Sequence, residues 1–99
     1  MRNWHNQSTD DLCDAILSLK TKEECYAFLE DICTIREIQD ISQRLTVAQL
    51  LSQGISYTTI SKATGASTAT ISRVSKCCEY GAGGYRNVLD RLNKEQSNA

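Results

Sequence analysis

The stretch TGASTATISRVSKCC, residues 64–78, sets short hydroxyl and methyl side chains at helical spacing. If Ser67 caps a helix running to about Glu79, then Thr68, Ser72 and Lys76 share one face, with Ala69 and Arg73 beside them. Side chains this short let a helix sit deep in a DNA major groove. Their hydroxyls can bond base edges and their methyls can touch a thymine methyl. Arg73, Lys76 and the earlier Lys62 can neutralise phosphates. The free N–H groups of the first turn, at Ser67 and just beyond, favour an anion as well. On the opposite face Ile71 and Val74 can meet Ile60 of a preceding helix. Ser61 is small enough for a close crossing, and Gly65 supplies the positive φ that a tight turn needs. Together these residues read as a helix-turn-helix. Thr64 fits least well, because a larger apolar residue suits the end of the first helix better.

The charge pattern supports that reading. Residues 1–40 hold nine acids against four bases. Residues 41–78 hold Arg44, Lys62, Arg73 and Lys76 and no acid, and residues 79–99 balance at three of each. The formal net charge of −1 therefore hides a segregated chain. Phosphate neutralisation is local, acting within a Debye length of about 8 Å, so acids held elsewhere do not oppose it. The rival reading is a helical hairpin that holds a protein partner. It needs an apolar outer face on residues 67–76, where Ser, Thr and Lys stand instead.

Other chemistry finds little footing. His5 is the single histidine, and it precedes any helix. No nucleophile–base–orienter set, phosphate loop or facing carboxylate pair is visible, so the chain does not read as an enzyme. The five cysteines (Cys13, Cys25, Cys33, Cys77 and Cys78) include no pair spaced by two residues. They read as reduced thiols used as small hydrophobes, not as zinc ligands. The adjacent Cys77 and Cys78 point apart on a helix, and closing a ring between them would strain the backbone. No cofactor is expected. There is no apolar run long enough for a membrane and no apolar signal core near the start, so a cytoplasmic location is expected.

Ninety-nine residues suit one domain, and the absence of Pro leaves long helices unbroken. Three hydroxyl–acid spacings read as capping boxes, at Ser8, Thr21 and Thr34. Behind them lie the apolar stripes Leu12–Ala15–Ile16–Leu19, Cys25–Phe28–Leu29–Ile32 and Ile38–Ile41–Leu45–Ala48. Val47, Leu50 and Leu51 make the third helix apolar around much of its surface, which calls for cover by a second chain. Gly54 fits its C-cap. Ser56 can cap a short helix over roughly 57–63, where Tyr57 and Thr58 serve as phosphate contacts or as plain surface. The run GAGG, residues 81–84, breaks the pattern, and an amphipathic helix follows over 85–96 with Val88, Leu89 and Leu92 inward. The final SNA reads as a frayed end. Trp4 is expected to pack under the dimer, the other reading being a mobile arm. The sum is an all-α chain of six helices forming one domain over 1–99. Residues 8–54 serve dimerisation, 55–79 form the helix-turn-helix and 85–96 the last helix.

The stretches ISQRLTVAQLLSQG and ISYTTISKATGASTATISRVSKC resemble the Trp repressor family, and within it the YerC/YecD-like branch. The likeness runs from about Leu12 to Leu92. It implies an intertwined homodimer carrying one helix-turn-helix per subunit, acting on double-stranded DNA as a transcriptional regulator, in the manner of a repressor. The family's best-known member is activated by bound tryptophan, held by two arginines; Arg44 and Arg73 stand at the matching positions. Two residues depart: Val74 replaces a glycine that gives the indole room, and Cys77 replaces a ligand-holding serine. An effector pocket of Arg44, Arg73, Val74 and Cys77 is therefore expected to reject tryptophan, leaving room at most for a smaller molecule. On the plainer reading, Arg44 pairs with Asp40 and Arg73 binds phosphate.

Overall fold

The computed structural model describes residues 3–97, so Asn98 and Ala99 of the expected frayed end lie outside the described residues. The chain forms six helices: α1 (Gln7–Ser18), α2 (Lys22–Ile32), α3 (Ile35–Ser52), α4 (Tyr57–Thr64), α5 (Thr68–Tyr80) and α6 (Gly84–Ser97). No strand occurs among the described residues. The helices belong to two compact units, residues 1–38 and 39–99.

In the first unit local signals set the helix starts. Asn6, not Ser8, caps α1: its side chain accepts from the Thr9 N–H at 3.0 Å, and the Thr9 hydroxyl accepts from the Asn6 N–H at 2.8 Å. Asn caps as well as Ser does, and the hydroxyl of Thr9 closes the box in place of an acid. At α2 the cap is Thr21 as read, but Glu24 accepts from the N–H of Lys20 rather than from the cap residue. At α3 the box closes on Thr34 and Glu37 in both directions, at 2.8 and 3.1 Å. The backbone and hydroxyl of Thr34 hold the Glu37 carboxyl below the usual glutamate range. Helices α1 and α2 bury none of their residues: Leu12, Ile16 and Ile32 stay exposed. Trp4 is 61% exposed and stands edge-on to the His5 ring.

The second unit has the core. Val47 and Ala48 of α3, Ile60 of α4, Ala66 of the turn, Ile71 and Val74 of α5 and Leu89 of α6 are buried together. Leu45, Leu50, Leu51, Ile55, Cys78 and Tyr85 pack around them. Left-handed backbone at Gly54, Gly65 and Gly83 turns the chain between helices. Helix α5 runs one residue beyond the expected Glu79, and α6 starts at Gly84, one residue earlier than the periodicity of its apolar face indicates. The break between them is firm. A side chain at Gly81 would strike the carbonyl oxygen of Cys77, so Gly81 can close α5 where alanine could not.

Candidate nucleic-acid interface

Helices α4 and α5 build the motif. Ser56 and Ser67 cap them, accepting from the N–H groups of Thr59 and Thr70 at 3.3 and 3.1 Å. The Ser67 hydroxyl also donates to the Thr70 hydroxyl at 3.1 Å, so its side chain is spent on the cap. What the start of α5 can offer an anion is the backbone: the N–H groups of Thr68 and Ala69 have no acceptor among the described residues.

Between the helices, Gly65 has φ +77° and its N–H donates to the Ser61 carbonyl at 2.8 Å. Nothing would crowd a side chain there, so the need for glycine is conformational rather than steric. Ser61 is small as the crossing requires, and its hydroxyl donates to the Ala66 carbonyl at 2.8 Å. Thr64 corrects the expectation of an apolar residue. Its hydroxyl donates to the Ile60 carbonyl at 2.7 Å and accepts from the Ala66 N–H at 3.1 Å. A larger apolar side chain would leave that N–H without its partner. The Thr64 carbonyl in turn accepts from Nε2 of Gln43, on α3, at 3.2 Å. Sequence reading missed Gln43.

The two faces of α5 separate cleanly. Ile71 and Val74 are buried, while Thr68, Ala69, Arg73 and Lys76 are exposed and Ser72 is half-buried. Lys62 of α4 is exposed as well. Five of the seven residues read as DNA-contacting thus have free side chains or half-free ones at the start or on the open side of α5; Ser67 is engaged in its cap and Lys62 belongs to the neighbouring helix. At the far end of α5, Arg86 of α6 donates to the Cys78 carbonyl at 3.1 Å. Burial raises the Cys78 thiol above its ordinary range, with Cys77 adding to the effect.

The four residues expected around an effector part company. Arg44 and Cys77 line an open apolar groove of about 520 Å³ with Ile41, Leu45, Tyr85 and Val88. Val74 is 1% exposed and belongs to the core, and Arg73 stands on the exposed side of α5. Arg44 is half-buried. Among the described residues no group of three His, Cys, Asp or Glu side chains could hold a metal, and no helix is long and apolar enough to cross a membrane. All five cysteines are free thiols.

Comparison with known proteins places this geometry. The family profile described as Trp repressor protein matches residues 7–93. The uncharacterized protein YerC of Bacillus subtilis (strain 168) is 52% identical over 88 residues, covering 89% of this chain and 85% of its own. A crystal structure of a candidate Trp repressor from Staphylococcus aureus superposes with a TM-score of 0.90 at 48% identity, covering 94% of this chain and 95% of that one. A TrpR-like protein from Eubacterium eligens ATCC 27750 gives a TM-score of 0.90 at 47% identity, with coverage of 94% and 96%.

Proposed function

The chain belongs to the Trp repressor family, and from that premise we propose that it is a homodimeric, sequence-specific DNA-binding transcriptional regulator, acting as a repressor in the cytoplasm. The observation that carries the reading is the division of α5: an apolar face sunk in the core and an open face of Thr68, Ala69, Arg73 and Lys76. No acid lies anywhere in residues 41–78 to repel a phosphate. Thr68, Ala69 and Ser72 read base edges, Arg73, Lys76 and Lys62 engage phosphates, and the start of α5 at Ser67 offers its backbone N–H groups. A second copy covers the apolar side chains that α1 and α2 leave in water.

The regulator does not answer to tryptophan. Of the pair of arginines, Arg44 alone lines the groove, and Val74, which stands where the family repressor has glycine, is buried in the core. The test is binding to genomic duplex fragments at several salt concentrations, with and without L-tryptophan. Binding that weakens with salt and ignores tryptophan is expected. No binding at low salt, or indifference to salt, would overturn the reading. A pull-down that survives nuclease would favour the protein-interaction dimer instead.

A further inference from the structure

Gln43 lies one helical turn before Val47, on the side of α3 that is buried a turn later. A polar side chain leaving a helix in that direction must find a partner. It finds one outside its own helix, donating from Nε2 to the carbonyl of Thr64 at 3.2 Å in a part-buried setting. That carbonyl ends α4, where the helix has no N–H left to offer it. Thr64 is also the hub of the turn. Its hydroxyl bonds the Ile60 carbonyl behind and the Ala66 N–H ahead, and Ser61 holds the Ala66 carbonyl. The next residue, Ser67, is the cap from which α5 starts. A shift of Thr64 therefore moves the start of α5.

We propose that Gln43 is a positioning residue for duplex recognition. It clasps the helix-turn-helix turn to α3 and so fixes the angle at which α5 meets the groove. The proposal rests on the DNA-binding reading above. Long Lys and Arg side chains tolerate a small displacement of the helix, whereas the short Thr68 and Ser72 do not. Losing the clasp should therefore cost discrimination between sequences more than general affinity.

Gln43→Met keeps the length and helix propensity of the side chain but cannot donate. Its far-ultraviolet circular dichroism should match that of the wild type. Affinity for the preferred duplex should fall roughly fivefold, the equivalent of one net hydrogen bond. Affinity for a scrambled duplex and the salt slope should hold, so the ratio of the two affinities narrows. Amide exchange at Gly65 and Ala66 should quicken relative to Val47. Gln43→Asn, whose amide is too short to reach the Thr64 carbonyl, should narrow the ratio too and serves if Gln43→Met does not fold. An unchanged ratio in a wild type that binds would overturn the clasp, as would equal losses on both duplexes. A wild type that binds no duplex would instead overturn the DNA-binding reading, a separate result.

Discussion

On α5, side chains of similar size have different duties, and the difference is measurable. Lys76 is exposed at the far end of the open face, suited to a phosphate. Lys76→Ala should weaken binding to all duplexes alike and flatten the salt slope by about two, one for each copy of the proposed homodimer. Thr68, exposed in the first turn, is short enough to meet a base edge. Thr68→Ala should instead change which sequence is preferred, by about 1–3 kcal/mol at one base pair. Titrations against a panel of single-substituted duplexes at two salt concentrations separate the two outcomes. Much of this was legible in the residues, because helical spacing alone divides Ile71 and Val74 from Thr68 and Lys76. The Gln43–Thr64 bond was not legible. Its partners are 21 residues apart, and no local spacing encodes which carbonyl a glutamine will reach. Arg44 was legible as a groove residue only through family likeness; its neighbours in the groove come from helices whose crossing the sequence does not state.

At the scale of the element, caps and glycines decide where helices start and stop. Gly65 pays no steric toll for being glycine, since a side chain would meet nothing. The cost of Gly65→Ala is therefore the left-handed backbone alone, about 1–2 kcal/mol in urea denaturation. Gly65→Asn should recover part of it. Helix α3 carries a pH-sensitive start. Because the Glu37 carboxyl is held below its ordinary range in the folded chain, its contribution is complete above that range and fades as the pH falls through the lowered value. Glu37→Gln keeps an acceptor without a titrating proton. The gap in Tm between the two proteins should be open at pH 6 and close in acid. The starts of α2, α4 and α5 were readable because a cap is a local bargain between neighbouring residues. The start of α1 was misplaced by two residues because Asn6 and Ser8 are equally good caps, and only the reciprocal bond from Thr9 chooses between them.

At the scale of the whole molecule, charge and apolar exposure set behaviour. The proposed homodimer presents Lys62, Arg73 and Lys76 twice. Engaging a phosphate with each gives a slope of log affinity against log salt of about −5. A much steeper slope would mean that residues outside the motif touch the duplex. Leu12, Ile16 and Ile32 in the first unit and Ile41 in the second are exposed apolar side chains that a second copy would cover in the proposed homodimer. Sedimentation at micromolar concentration should find the dimer. The apolar width of α3 was legible, since amphipathic periodicity reports how much of a helix must be covered. Much of it is covered by the chain's own core: Val47 is buried, and Leu50 and Leu51 pack against that core. Periodicity does not report what does the covering, and residues in different units cannot be paired from their spacing.

The last three joints of this chain each hold a glycine, and the sequence has no proline. Refolding therefore has no prolyl isomerisation to wait for, a step that otherwise takes roughly tens of seconds. Helices whose contacts fall mostly between sequence neighbours form quickly as well. For the proposed homodimer, the slow event left is the encounter of two chains. Newly made protein would then mature at a pace set by its own abundance, and refolding followed after dilution from denaturant should speed up in proportion to chain concentration.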